Sequence, residues 1–264
     1  MLLSFRKRLI IALFPTHIVV VKTARRGLRG QCSQPQAFSI EQWPGEPIWH
    51  GSVIALRIWL EENKHVLPTD VEIIVSDSFS HYALIPWSDN TRRPVEIALL
   101  TQMCFDELYG STAAAGWEVR VDMPEYGKAG IACALDKALI QALEELCLSY
   151  RLRLISIRTN FIDAHNRSHD RIGNNALIAV VDCDQCVLAS KMDGSWHSVR
   201  SVRLGKYTGK ELLMSIEREV LLQGLDEQFP VFLHAPETID FSLLQKNSRV
   251  TILDTSCALA RQMY

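Results

Sequence analysis

The segment from Gly130 to Thr159 constrains the fold more than any other part of this chain. Its first residues alternate like a strand, its middle repeats apolar residues at three-and-four spacing like an amphipathic helix, and its end is rich in leucine and isoleucine. A strand, a crossover helix of about fifteen residues and a second strand form a βαβ unit, which predicts a parallel strand pair with a right-handed connection. We therefore expect an α/β protein in which this unit closes the first of two halves.

The composition narrows the class of protein. The chain has 264 residues, of which 48% are hydrophobic and 22% charged, so it has room for one large domain or two ordinary ones. Its formal net charge of −2 gives no electrostatic reason to expect a nucleic-acid partner. The seven cysteines lie mostly in apolar runs, which indicates reduced core thiols in a cytosolic protein. Cys183 and Cys186 form a CxxC without a second ligand pair, so we predict a hairpin turn and no metal site.

The amino-terminal segment resembles a signal sequence or a membrane anchor, because basic residues precede the apolar run LIIALFPTHIVVV. That run, roughly thirteen residues, is too short to cross a bilayer as a helix, and Pro15 interrupts it. Two strands at about 8–13 and 17–22 fit this pattern better. No other stretch has the length and hydropathy of a membrane span, so we expect a soluble chain.

The remainder of the first half predicts a third strand, a helix, a buried strand and an inserted subdomain. A loop at 25–36 should precede the strand Ala37–Gln42, and the helix Ile48–Asn63 and the strand Val71–Ser76 should follow. The insert, between Ser80 and Met123, should contain a strand, a helix, a loop and a strand: His81–Trp87, Pro94–Tyr109, 111–116 and Trp117–Val121. The side chains of the insert helix predicted to face inward are Ile97, Leu100, Phe105, Leu108 and Tyr109.

The second half repeats the opening order of elements. Three meander strands (Ala176–Asp182, Cys186–Met192 and Trp196–Leu204) should be joined by turns, and Asp193-Gly194 is a strong hairpin signal. The elements predicted after them are the helix Gly209–Leu222, the strand Val231–His234, a helix at Ile239–Gln245 and the strand Val250–Leu253. On the helix, Leu212, Leu213, Ile216, Val220 and Leu221 should form the inner face. The polar stretch Asn160–Asn175 should cross between the two halves.

This order of elements resembles the actin-like fold, and more narrowly its PilM and GspL branch. Besides the duplicated order, the resemblance rests on Leu84-Ile85-Pro86 at the start of the insert, Trp117 at its last strand and Phe161–Asn166 after the Gly130 segment. It implies an α/β, two-lobed, RNase H-like duplicated fold with a small inserted β-α-β subdomain. The lobes would be 1–160, with the insert at 80–125, and 161–264.

In active members of this fold, one Asp-x-Gly hairpin turn in each lobe holds phosphate and magnesium. Here the first turn is Leu13-Phe14-Pro15-Thr16, and the second is Asp182-Cys183-Asp184. A carboxylate at Asp184 would repel phosphate by about 4 kcal/mol at 4 Å and an effective dielectric of ~20. The resemblance therefore implies a degenerate nucleotide site and no cofactor. In the alternative, an ATP-binding ATPase or kinase-like enzyme, Asp182, Asp184 and Lys191 would contact ATP and magnesium.

The resemblance also implies a non-catalytic scaffold for type IV pilus assembly or type II secretion, cytoplasmic and peripheral to the inner membrane. Its partner would be the tail of a bitopic inner-membrane protein, with an assembly ATPase as a second partner. The predicted docking residues are four insert aromatics: Tyr82, Trp87, Trp117 and Tyr126. His165 and His169 could share a helix face as metal ligands, but their polar surroundings favour a solvated helix end.

Overall fold

The computed structural model describes residues 7–26, 29–41, 43–89, 93–205, 208–236 and 239–253. The strands are β1 (Lys7–Leu13), β2 (His17–Arg26), β3 (Arg29–Cys32), β4 (Gln36–Ser39), β5 (Asp70–Val75), β6 (Ser80–Ile85), β7 (Trp117–Asp122), β8 (Gly130–Asp136), β9 (Arg153–Thr159), β10 (Ala176–Asp182), β11 (Gln185–Met192), β12 (Ser195–Arg203), β13 (Val231–His234) and β14 (Val250–Ile252). The α-helices are α1 (His50–Asn63), α2 (Pro94–Tyr109), α3 (Ser111–Ala114), α4 (Lys137–Ser149), α5 (Asn160–Ser168), α6 (Gly209–Leu222) and α7 (Ser242–Gln245). No helix in these ranges is both long and apolar enough to span a bilayer.

The described residues group by contact into two compact units. One contains the described residues up to 79 together with 138–163, and the other contains 80–137 together with the described residues from 164 to 253. By chain order the insert lies between β5 and α4, and the sequence assigned 80–125 to the first lobe. The contact grouping instead places the insert with the later residues.

The first unit is built on a mixed sheet, here called the first sheet, with the order β3-β2-β1-β5-β9 and β4 also paired to β2. The predicted amino-terminal hairpin is confirmed, because β1 and β2 are antiparallel with Leu13 opposite Ile18. Strand β5 is buried along its whole length, as expected for a central strand with parallel neighbours on both sides. The prediction of a continuous loop at 25–36 is wrong, because β3 lies within it.

The segment that was expected to form a βαβ unit does form a strand, a helix and a strand, but the predicted parallel pairing is wrong. Strand β8 is the central strand of an antiparallel sheet with the order β6-β8-β7, called the insert sheet. Strand β9 pairs instead with β5 in the first sheet. Two strands that flank a helix have the same local pattern whether or not they pair with each other, because the partner of a strand is determined by long-range contacts.

The second sheet, in the second unit, has the order β12-β11-β10-β13-β14. The predicted meander is confirmed: β10, β11 and β12 are antiparallel, and β13 and β14 add to β10 in parallel. This is the topology of the first sheet repeated, with β10, β13 and β14 in the places of β1, β5 and β9. The Asp193-Gly194 turn has positive φ at both residues (50° and 75°), as a type I′ hairpin requires.

The helices α2 and α6 begin and end where the sequence predicts. Pro94 opens α2, where its missing N–H costs nothing, and the Thr208 hydroxyl accepts a hydrogen bond from the Glu211 amide at the start of α6. Leu108 and Leu221 were predicted to face inward and are instead exposed. Both lie in the last turn of their helices, where neighbouring residues do pack inward: Val220 is buried, and the Tyr109 hydroxyl donates to the Tyr82 carbonyl. A short helix, α3, replaces much of the loop predicted at 111–116.

The insert is attached to the second sheet through the loop that precedes β8. The amide of Ala129 donates to the Ser195 hydroxyl at 3.0 Å, and the carbonyl of Ala129 accepts from the Trp196 amide at 3.3 Å. Both partners lie at the start of β12, and β12 also contacts β6 and β8. These contacts explain why the insert groups with the second sheet.

Candidate functional site

The β1–β2 turn of the first sheet is closed by its own hydrogen bonds and by packing. The amide of Phe14 donates to the His17 carbonyl at 2.9 Å, and the carbonyl of Phe14 accepts from the Ser52 hydroxyl at 2.8 Å. The Phe14 ring is buried and stacks on the His17 ring with 4.7 Å between centroids. Pro15, also buried, has no N–H to donate. Two of the amides that a phosphate-binding turn would use are therefore occupied or missing.

The β10–β11 turn of the second sheet carries the two aspartates that the sequence singled out. Asp182 is fully buried at the end of β10. Cys183 takes positive φ (50°), a left-handed backbone conformation that is uncommon for a residue other than glycine. The Asp184 carboxylate lies 3.4 Å from the Arg203 Nε, and the Asp184 carbonyl accepts from the Leu204 amide at 2.7 Å. The turn is therefore tied to β12 and its extension through Asp184.

Lys191 does not lie near this turn. It pairs with Ala176 at the far end of the β10–β11 hairpin, six residue positions from the Asp182–Gln185 pair. At a rise of about 3.4 Å per residue, this places it roughly 20 Å from the turn along the strand. The three residues of the alternative nucleotide site are thus not brought together: Asp182 and Asp184 share one end of the hairpin, and Lys191 lies at the other.

Lys191 belongs to a different cluster of half-buried and buried polar groups. Its ammonium lies 2.7 Å from the Nε2 of His165 and 4.3 Å from the centre of the Trp196 ring. Burial lowers the pKa of Lys191, and the charge of Asp122 opposes this effect. Burial, reinforced by the charge of Lys191, lowers the pKa of His165 to about 4. A neutral His165 can therefore accept a hydrogen bond from the ammonium group.

The prediction of a solvated helix end around His165 is wrong for that residue, because His165 is buried on α5. His169 is exposed in the following 3₁₀ turn, with its ring centroid 6.0 Å from that of His165 in an edge-to-face contact. Among the residues that the structure describes, no three His, Cys, Asp or Glu side chains are grouped as a metal ion would need.

Two buried polar side chains have partners that the sequence does not predict. His234, at the end of β13, is buried with its Nε2 2.9 Å from the Ser168 hydroxyl, and burial lowers its pKa to about 4. Asp77, after β5, is buried and its carboxylate accepts from the Phe161 amide at 3.0 Å, so it caps the start of α5. Asp77 is 84 positions from Phe161 in the chain, and no local pattern predicts that contact.

The four insert aromatics have different environments. Tyr82 is only 3% exposed, so the expectation that it lies at the surface is wrong. Trp117 is half-buried and stacks on His81 at 3.9 Å between centroids, and Tyr109 contacts both rings. The Tyr109 hydroxyl donates to the Tyr82 carbonyl at 2.8 Å. Tyr82 and Trp117 therefore stabilise the insert itself, as aromatic clusters on small domains commonly do.

Trp87 and Tyr126 form a separate pair on the loops after β6 and before β8. Their rings meet edge to face with 4.6 Å between centroids, and the Tyr126 hydroxyl donates to the Asp89 carboxylate at 2.8 Å. Trp87 is half-buried, whereas Tyr126 is 67% exposed. An exposed aromatic ring held in place by a carboxylate can contact a partner with little loss of side-chain entropy.

Solved structures resemble this chain although its sequence does not identify a family. No protein-family model matches the sequence, and no curated protein sequence matches it either. A Bacteroides thetaiotaomicron protein with actin-like ATPase fold and unknown function is 13% identical with a TM-score of 0.62, covering 95% of this chain and 91% of that one. The cytoplasmic domain of EpsL, an inner-membrane component of the Vibrio cholerae type II secretion system, is 10% identical with a TM-score of 0.55, covering 97% and 93%.

A chain of the PilM–PilN type IV pilus biogenesis complex is also similar, with 13% identity and a TM-score of 0.55, over 83% of this chain and 66% of that one. At these identities the likeness establishes the fold. The chain has an α/β actin-like fold, as the order of its elements predicted.

Proposed function

We propose that this protein is a non-catalytic scaffold on the cytoplasmic side of an inner membrane, in an assembly platform of the type IV pilus or type II secretion kind. The observation that carries this proposal is the likeness of its fold to both the EpsL cytoplasmic domain and the PilM–PilN complex. Its partner would be the cytoplasmic tail of a bitopic membrane protein, and an assembly ATPase would be a second partner.

The chemistry of the two hairpin turns supports binding of a protein over catalysis on a nucleotide. In the first turn the Phe14 amide is already hydrogen-bonded within the turn and Pro15 has none. In the second turn Asp184 adds a carboxylate, which would repel phosphate oxygens, at the position of the fold's usual glycine. In the alternative, an ATP-binding enzyme, Asp182 would hold the metal ion, but Lys191 lies too far from Asp182 to contact the same nucleotide.

The Trp87–Tyr126 pair is the part of the predicted docking surface that is accessible. Aromatic side chains that combine a large apolar area with a polar tip are frequent anchors in protein interfaces. We assign the tail of the membrane protein to this pair, with Asp89 fixing the Tyr126 ring. Tyr82 and Trp117 are not part of that assignment, because they pack within the insert.

Nucleotide binding is tested by thermal denaturation with and without millimolar ATP and magnesium. We expect no change in melting temperature, because a ligand stabilises a protein only when its concentration exceeds its dissociation constant. A rise in melting temperature that is lost in Asp182→Ala would overturn the non-catalytic assignment in favour of an ATP-dependent enzyme.

Tail binding is tested by fluorescence anisotropy with labelled peptides from the cytoplasmic tails of the host's bitopic inner-membrane proteins. We expect one peptide to bind and the variant Trp87→Ala/Tyr126→Ala to weaken it by about tenfold or more. Trp43→Ala, at an exposed tryptophan in the first unit, is the matched control and should leave binding unchanged. The scaffold assignment fails if no such tail binds.

A further inference from the structure

Helix α2 exposes an apolar stripe that its own unit does not cover. Val95, Leu99 and Met103 are 70%, 62% and 67% exposed, although α2 packs another face against the insert sheet through Phe105 and Leu100. The three residues are spaced four apart, so they lie one above the other on a single face. Scattered exposed apolar residues need no explanation, but three aligned on one helix face form a ridge that another helix can cover.

The same helix has an unusual charge distribution. Its sequence, PVEIALLTQMCFDELY, contains three acidic residues and no basic one, and its last turn carries no basic side chain. Asp106 and Glu107 lie near the carboxyl end, where the helix dipole is negative and a cation is favoured. Asp106 accepts a hydrogen bond from Gln102 at 2.9 Å, and neither acid makes an ion pair with any residue that the structure describes.

The stripe and the acidic end are continuous on the helix surface. Asp106 and Glu107 follow Met103 by three and four positions, so they extend the exposed face by one turn. Glu96, at the other end of the stripe, is occupied by the capping box with Arg93. The exposed face therefore presents an apolar ridge that ends in two carboxylates without an ion-pair partner among the described residues.

We propose that this face of α2 binds an amphipathic, basic helix of a partner protein. The apolar side of that helix would cover Val95, Leu99 and Met103, and its lysine or arginine side chains would neutralise Asp106 and Glu107. Such a partner would account for both unusual features of α2. It would bury the apolar ridge, and it would place cations beside the carboxylates at the negative end of the helix. The site is separate from the Trp87–Tyr126 pair, and it rests on the proposed scaffold function only for the class of the natural partner.

The test uses two synthetic amphipathic peptides of about twenty residues, longer than the roughly 12–15 residues below which an isolated helix is marginal. Both have leucines at the same spacing on one face, and they differ only in having lysine or glutamate at the remaining positions. We expect the lysine peptide to bind the full-length protein, as measured by fluorescence anisotropy, with an affinity that falls as salt is raised. The glutamate peptide should not bind.

Substitutions locate the binding. Leu99→Gln/Met103→Gln should lower the affinity for the lysine peptide by about tenfold. Glu107→Lys should lower that affinity by a similar factor, because it reverses a charge. Leu221→Gln is the matched control, because Leu221 is 78% exposed on α6, another helix of the same unit. All of these positions are exposed, so the melting temperatures should stay within about 2 °C of the unmodified protein.

Three results would overturn the proposal. The first is equal binding of the two peptides, and the second is lysine-peptide binding that survives both α2 variants. The third is self-association in sedimentation velocity that the Leu99→Gln/Met103→Gln variant abolishes, since the occupant would then be a second copy of this chain. If the lysine peptide binds as expected while no membrane-protein tail binds, the scaffold assignment fails. The proposal that α2 binds a basic helix would still hold.

Discussion

The first and second sheets repeat one strand order, yet they accommodate buried polar groups in different ways. The first sheet uses ion pairs: Arg153 forms two hydrogen bonds to Asp70, and Glu72 lies between Arg8 at 2.6 Å and Arg158 at 2.8 Å. The second sheet also has an ion pair, between Arg200 on β12 and the buried carboxylate of Glu219 on α6 at 3.3 Å. It adds two buried imidazoles, His165 and His234, whose pKa values are lowered to about 4. The repeated topology therefore follows from the apolar pattern of the strands and does not require repeated polar chemistry.

The equivalent hairpin turns of the two sheets also differ, one being held by a buried apolar side chain and the other by an exposed charged one. The β1–β2 turn is held by the buried Phe14 ring, whereas the β10–β11 turn exposes Asp184 and ties it to Arg203. We expect the first turn to act as part of the core and the second as part of the surface. Substitutions in the two turns should therefore differ in their effect on the free energy of unfolding.

Replacing Phe14 with alanine should lower the free energy of unfolding by about 3–5 kcal/mol, because it removes a fully buried ring and leaves a cavity. Urea denaturation followed by circular dichroism measures this change. The exposed neighbour Thr16 serves as the control, and Thr16→Ala should have a much smaller effect. If the two variants were equally stable, the first turn would not be part of the core.

The buried histidines should make stability depend on pH. Since their folded-state pKa values of about 4 lie below the ordinary value of 6.5, the unfolded chain binds protons first as the pH falls. Their contribution is complete above pH 6.5 and is lost as the pH falls toward 4, by up to about 3 kcal/mol for each residue.

Urea denaturation between pH 7 and pH 4 measures this dependence. His234→Asn should reduce the slope of stability against pH, whereas the same change at the exposed His197 on β12 should leave it unaltered. An unchanged slope in His234→Asn would show that acid acts elsewhere, for example on the carboxylates of the first sheet.

Replacing Asp184 with alanine should change the free energy of unfolding by less than about 1 kcal/mol. The Asp184 and Arg203 side chains are 52% and 79% exposed, and surface ion pairs contribute little. A loss as large as that of Phe14→Ala would remove the contrast between the two turns.

Local patterns predicted the elements of this fold well, and they predicted strand partners poorly. Pro94 and Thr208 mark the starts of α2 and α6 because capping is a local interaction. The choice of β6 and β7 as partners of β8 depends on contacts that no short window contains. Strand β3, Arg29-Gly30-Gln31-Cys32, has no apolar alternation and forms because β2 offers it an edge.

The candidate sites show the same limit. The departures of the two turns from the Asp-x-Gly pattern could be predicted from the sequence. The backbone freedom of glycine and the missing N–H of proline do not depend on the surrounding fold. The burial of Tyr82, and the association of Lys191 with His165 and Trp196, depend on which faces of distant elements meet. The exposed stripe on α2 could have been suspected from Val95, Leu99 and Met103, but α2 offers two apolar faces and the sequence does not say which is covered.

The pairing of β9 with β5 has a consequence for the order in which the chain can fold. Arg153 meets Asp70 across 83 positions, and the whole insert is synthesised between them. On the ribosome, the three strands of the insert sheet are therefore all available before the first sheet can be completed. Until Arg153–Thr159 emerges, β5 has no partner on that side, and an unpaired strand edge can pair with another chain.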